Sequence, residues 1–184
     1  NKDLYVCDLC CGKSYLSFAA YYVLTEKCGR KVRMSCVDLK QSVMDYCSVI
    51  AKKCGMDGME FVCMNIKEFV PREKPDLVIS LHACDTATDM VLDFASENRA
   101  DVILSTPCCH HQMNRELDCS ALAFIGDRPI LRQKFCDAAT DSLRILRLKA
   151  CGYSAAATEF IDPEDTPKNI LIRAHKESGF DYGR

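Results

Sequence analysis

The stretch Val6–Tyr15 reads VCDLCCGKSY, and it decides what kind of sheet the chain can build. The apolar run Leu4–Leu9 stops just short of Gly12, and the helically spaced segment Tyr15–Lys27 follows at once. The turn between them carries Cys10, Cys11, Gly12 and Ser14, all small. Small residues let backbone approach a ligand closely where a strand passes into a helix. Asp8, just before the turn, can accept hydrogen bonds from amines or hydroxyls. The pattern is neither the G-x-G-x-x-G dinucleotide fingerprint nor a P-loop. Taken alone it also fits a plain strand-to-helix turn lined with core thiols.

Outward from this stretch the same alternation repeats. Strands are expected at Val32–Leu39, Met59–Met64, Asp76–Leu81 and Asp101–Thr106, with helices at Ser42–Cys54 and Thr86–Asn98. A long helix over Pro129–Ala150 ends at Gly152 and leads to two last strands, Tyr153–Ile161 and Asn169–Ala174. Alternating strands and helices imply right-handed crossovers and a parallel sheet covered on both faces. No helix separates the last two strands, and Asp162–Pro167 is turn chemistry, so they should pair as an antiparallel hairpin. The fold class is therefore α/β: a mostly parallel sheet of seven strands with a C-terminal antiparallel hairpin.

The 184 residues fit one domain spanning 1–184. The chain starts at Asn1, almost on the first strand, and we expect it to be part of a longer protein. Apolar residues make up 48% and charged residues 27%, and no apolar run is long enough for a membrane helix, so no membrane partner is expected. The net charge of −2 gives no global field for nucleic acid, though a local basic face stays possible. Fourteen cysteines, of which only Cys7 and Cys10 stand at C-x-x-C spacing, read as reduced, small apolar residues of a cytoplasmic protein.

In an open parallel sheet, ligands sit at the carboxyl ends of the strands. Those ends carry Asp8 to Ser14, Asp38, Asn65, His82 to Asp85, and Pro107 to His111. Asp38 can take two ribose hydroxyls, or simply cap the helix that follows. Asn65 could read an adenine edge, or belong to a turn. An acidic turn, a ribose acid and a third-strand amide describe an adenosine pocket without a pyrophosphate cradle, which suggests S-adenosylmethionine rather than a nicotinamide.

The segments DLCCGKSYLSFA, VDLK, LHACDTATD, PCCHHQMN and EFIDPEDTPKNILIRA together resemble class I S-adenosylmethionine-dependent methyltransferases of Rossmann-like fold. LHACDTATD and CCHH are also similar to transfer-RNA methyltransferases that modify a ribose hydroxyl in the acceptor stem. The resemblance runs from about Leu4 to Ala174. Cys10 and Ser14 replace glycines of the commoner methyltransferase turn, and Asp85 replaces a glycine of the transfer-RNA family. The resemblance implies cofactor contacts from Asp8, Cys10, Gly12, Lys13, Ser14 and Tyr15 at the first strand end. Asp38 and Leu39 would follow at the second, Asn65 and Ile66 at the third, and His82 at the fourth.

A hydroxyl acceptor needs a base, and His82, Asp85 and His110 are the candidates; each histidine could equally be a packing residue. Cys84, Cys109, His110 and His111 would line the acceptor. Cys108 or Cys109 after Pro107 echoes pyrimidine methyltransferases that attack through a thiol, although a buried structural thiol is the simpler reading. No metal is expected: adjacent cysteines rarely share an ion, and strand pleat points neighbours to opposite faces. Arg128, Arg132, Lys134, Arg144, Arg147 and Lys149 could meet phosphates, or form an ordinary solvated helix surface. The expected function is methyl transfer to RNA, possibly transfer RNA. The alternatives are a small-molecule or protein acceptor, or a cofactor-binding domain without turnover.

Overall fold

The computed structural model describes residues 2–81, 83–118, 122–162, 164, 166 and 168–179. Seven strands form one sheet: β1 (Leu4–Leu9), β2 (Val32–Asp38), β3 (Met59–Cys63), β4 (Leu77–Leu81), β5 (Val102–Thr106), β6 (Tyr153–Glu159) and β7 (Ile170–Lys176). Their spatial order is β3-β2-β1-β4-β5-β7-β6. β1 to β5 pair in parallel, and β7 runs antiparallel between β5 and β6. The expected hairpin is present, with its second strand inserted into the sheet and its first at the edge. The order turns back between β1 and β4, which is the switch point where parallel sheets open a crevice.

The helices are α1 (Tyr15–Tyr22), α2 (Gln41–Lys53), α3 (Thr86–Glu97), α4 (His111–Glu116), α5 (Ala123–Gly126) and α6 (Pro129–Ala150). α1 continues as a π-helical turn, Val23–Lys27, before Gly29 at a φ of 60°. The segment expected to be a single helix thus keeps its length but widens its last turn. The two short helices α4 and α5 carry no strong periodic signal in the sequence.

Both faces of β1 are buried, as the centre of a parallel sheet requires. Tyr5, Cys7 and Leu9 pack with α3 and α6 residues such as Val91, Phe94 and Leu148. Val6 packs on the other face with Met34, Cys36 and Ile79, against Leu16 and Ala20 of α1. Asp8 shares the α1 face, so its carboxylate is carried into the interior by strand alternation. β7 reaches Lys176, past the expected end at Ala174, because Val102 pairs with His175 and Tyr153 with Lys176.

The thiols divide more evenly than a uniform core reading implies. Cys7, Cys36, Cys47 and Cys136 are buried, whereas Cys28, Cys54 and Cys84 are exposed. No disulfide joins any two of the described cysteines. Among the described residues no helix is long and apolar enough to cross a membrane.

Candidate functional site

The turn after β1 places three residues in the left-handed region: Cys10 at φ 59°, Gly12 at 52° and Ser14 at 58°. Only glycine occupies this region without a steric cost, which for Cys10 and Ser14 is about 1 kcal/mol each. Strain of this kind persists where surrounding contacts over-determine it. Here the contacts are visible. Ser14 N–H donates to Cys11 O at 2.8 Å, and Cys11 N–H to Val37 O at 3.2 Å. Gly12 N–H donates to Asp38 Oδ2 at 2.9 Å. Asp38 Oδ1 accepts from Lys40 N–H at 3.2 Å. A Cβ added at Gly12 would meet nothing within 4 Å, so open space lies directly against the backbone there.

Asp8 sits beneath this turn, 1% exposed. Ser17 Oγ donates to its Oδ2. Its Oδ1 is buried and, among the described residues, receives no donor. Burial pushes the carboxyl up to about 7; the Ser17 bond opposes that rise and the Asp38 charge adds to it. A buried acid with one oxygen unserved fits a ligand amine or hydroxyl. Lys13 and Tyr15 are exposed beside it, and Leu39 is 69% exposed after β2. Met64 N–H donates to Asp38 O at 3.0 Å, which draws the end of β3 to the same rim. Asn65 there is exposed, and its Oδ1 accepts from Lys67 N–H. The Ile66 side chain, expected to flank a base, is instead 8% exposed within the core cluster, because its turn folds back over α3.

The second half of the rim follows β4 and β5. Leu81 and Thr106 are partners in register, so residues three beyond each strand end lie side by side. Those residues are Cys84 and Cys109. Together with Cys108 their sulfurs all lie within 4.8 Å of one another. Cys108 Sγ and Cys109 Sγ are 3.6 Å apart. Hydrogen bonding with Cys109 and then burial push the Cys84 thiol up. Burial, followed by Cys109, pushes the Cys108 thiol up to about 12. Asp85 takes φ 52°, a backbone region that favours glycine. Its Oδ1 accepts from Gln112 N–H at 3.3 Å. His111 opens α4 and is exposed. His82 lies outside the described residues.

His110 turns away from the thiols into the fold. It is 3% exposed, and its Nε2 lies 2.9 Å from Asp141 Oδ1 in a hydrogen bond. Its Nδ1 lies 2.9 Å from Asp137 Oδ1 without the alignment of a hydrogen bond. Two carboxylates therefore flank the ring, which leaves neither nitrogen turned to an acceptor at the thiol side. His110 is thus held against α6, where it also borders a cavity. Arg144, buried, donates from Nε and Nη2 to both oxygens of Asp89, and from Nη1 to Asp141 Oδ1 at 3.1 Å. Burial alone would lower its pKa, but Asp89 and Asp141 outweigh that and raise it. Arg147 pairs with Asp93, and Arg132 donates to the carbonyls of Asn114 and Leu117. Three of the six cations of this segment, Arg132, Arg144 and Arg147, are thus committed to internal partners.

A cavity of about 400 Å³ opens beside His110, with Pro107, Lys134, Asp137, Asp141 and Lys168 in its wall. Lys168 Nζ contacts Asp137 Oδ2 at 3.0 Å. Sequence reasoning missed Asp137, Asp141 and Lys168. The spacing of Asp137 and Asp141 on one helix face was the available signal.

A family model described as a methyltransferase domain matches residues 1–116. No curated protein sequence matches the chain. Among solved structures it is similar to an rRNA methylase from Streptococcus thermophilus, with a TM-score of 0.60 and 11% identity, covering 97% of this chain and 89% of that one. Magnesium protoporphyrin IX methyltransferase from Synechocystis PCC 6803, with bound SAH, gives a TM-score of 0.57 and 16% identity over 95% and 74%. The citrinin polyketide synthase CMeT domain gives 0.59 and 14% over 96% and 48%, so the chain spans about half the length of that relative.

Proposed function

The chain belongs to this methyltransferase-domain family; on that premise we propose that it is an S-adenosylmethionine-dependent methyltransferase, that the β1–β3 rim holds the cofactor and that the acceptor, an RNA, enters over the β4–β5 rim. The observation that carries the cofactor half is the buried, unserved oxygen of Asp8 beneath the open backbone of Gly12. Asp8 would accept from the amino group of the methionine part, and Gly12 would admit that part close to the backbone. Asp38 would take the ribose hydroxyls on lone pairs left by Gly12 and Lys40, with Leu39 and Asn65 at the base. When bound, the cofactor supplies an electrophilic methyl group on a sulfonium.

Methyl transfer asks mainly for in-line positioning. The rigid turn at Cys10–Ser14 and the register of β4 with β5 supply fixed walls for it. Asp85, half-buried at the rim, is the group we assign to hold the acceptor's proton. His110 acts as a positioning residue, fixing the segment after β5 against α6 through Asp141. His82 remains a proposed wall residue near the methyl group. The RNA acceptor is supported by the likeness of LHACDTATD and CCHH to transfer-RNA methyltransferases. A small polar acceptor is a second reading, favoured by the 400 Å³ cavity with acids and lysines in its wall. A cytoplasmic setting suits a chain with fourteen cysteines, because thiols stay reduced there.

The test is transfer of radiolabelled methyl from S-adenosylmethionine to total RNA, protein and metabolite fractions. Label in RNA that Asp85→Ala abolishes supports the proposal. Label confined to metabolites moves the acceptor to the second reading.

A further inference from the structure

We propose that Cys84, Cys108 and Cys109 form a binding site for one Zn²⁺ ion at the rim of β4 and β5. No metal was expected, because adjacent cysteines rarely share an ion and strand pleat sends neighbouring side chains to opposite faces. The pleat does not extend to this segment. β5 ends at Thr106, and Cys108 and Cys109 lie beyond it in irregular backbone, where both sulfurs turn to the same side, 3.6 Å apart. Cys84 joins them because β4 and β5 are in register and end together.

The separations are those a thiolate site needs. Tetrahedral zinc with Zn–S bonds of about 2.3 Å holds its sulfurs about 3.8 Å apart. All three sulfurs already lie within 4.8 Å of one another, so closure on an ion moves each by less than about 1 Å. Thiolates are soft donors and select Zn²⁺ or Cu⁺ over Mg²⁺ or Ca²⁺. Cys84 is exposed and provides the entry path, while Cys108 and Cys109 are half-buried and preset. Binding deprotonates each ligand, so three S–H protons pass to solvent as three S–Zn bonds form.

Three protein ligands leave one coordination position for water or substrate, as catalytic rather than structural zinc sites do. That position lies on the acceptor side of the rim. There the ion would lower the pKa of a bound hydroxyl or thiol and so prepare it as a nucleophile. This role rests on the methyl-transfer reading; the ion site itself does not.

The test uses the full chain, purified under reductant and stripped with a chelator. Zn²⁺ is titrated against a chromophoric competitor, and Co²⁺ is added separately as a spectroscopic probe. The expected result is one ion per chain, and for Co²⁺ a thiolate-to-metal charge-transfer band with intense tetrahedral d–d absorption. Cys84→Ser and Cys109→Ser should each weaken binding by more than about tenfold. Cys28→Ser and Cys54→Ser, at exposed thiols elsewhere, should leave it unchanged. Circular dichroism of each variant confirms folding. Failure of the reduced wild type to bind either ion stoichiometrically would overturn the proposal, as would equal binding by folded Cys84→Ser and Cys109→Ser. Calorimetry with S-adenosylmethionine on the same samples separates the two readings. Zinc binding without cofactor binding sinks the methyl-transfer reading and leaves the ion site standing.

Discussion

Replacing Asp8 by Asn should stabilise the free protein and weaken its hold on S-adenosylmethionine. The carboxyl is buried, and burial pushes it from its ordinary 3.8 up to about 7. The folded protein therefore keeps this proton up to about pH 7, while the unfolded chain loses it near pH 4. Between those values the folded state binds more protons, so stability falls as pH rises, and the loss is complete above about 7. That rise costs the folded state about 4 kcal/mol at pH 8, and about 2 kcal/mol at pH 5, where the loss is partial. Asn keeps the shape and can still accept from Ser17, but it has no proton to lose. The gain of Asp8→Asn over wild type should therefore be larger at pH 8 than at pH 5 by about 2 kcal/mol. In a chain of this size that is a difference of about 6 °C in Tm. Urea unfolding followed by circular dichroism at both pH values reads it directly. Ligand binding should show the opposite preference: wild-type affinity for the cofactor should rise through pH 7 as Asp8 ionises, and the variant should lose that dependence. An equal stability difference at pH 5 and pH 8 would refute the burial argument.

Asp38→Ala removes the acceptor for Gly12 N–H and should cost about 1 kcal/mol of stability, with a much larger fractional loss in cofactor affinity by calorimetry. Arg144→Ala leaves Asp89 and Asp141 without their shared guanidinium and should destabilise by about 3 kcal/mol in denaturant unfolding. Gly58→Ala places a Cβ 2.3 Å from Val32 O and 2.7 Å from Tyr21 Oη, so it should cost about 2 kcal/mol without altering cofactor contacts. Thiol labelling of the native protein under reductant, read by mass spectrometry, should modify Cys28 and Cys54 quickly. Cys7, buried and pushed up to about 12, should stay unmodified until the chain unfolds.

The fold was legible in the sequence because its signals are local and repeated. Apolar runs of strand length alternate with helical spacing, and the missing helix after β6 announces the hairpin. The candidate rim was legible for the same reason: Asp8 and Asp38 stand near the carboxyl ends of apolar strands and Gly12 just beyond one, and strand ends converge wherever a parallel sheet forms. Element ends were less legible, since pairing across the sheet, as between Val102 and His175, sets where β7 stops.

The acceptor side depended on tertiary structure. Sequence placed His110 beside His111, Cys108 and Cys109 as one motif, yet consecutive residues in irregular backbone point where packing sends them. His110 was drawn towards Asp137 and Asp141 of α6, some thirty residues away, while Cys108 and Cys109 were left facing Cys84. The sequence alone determined which chemistry the strand ends carry, because periodicity is written in neighbouring residues. Which of those groups meet was decided only by the register of β4 on β5 and the docking of α6, because contacts between distant segments depend on how the whole sheet closes.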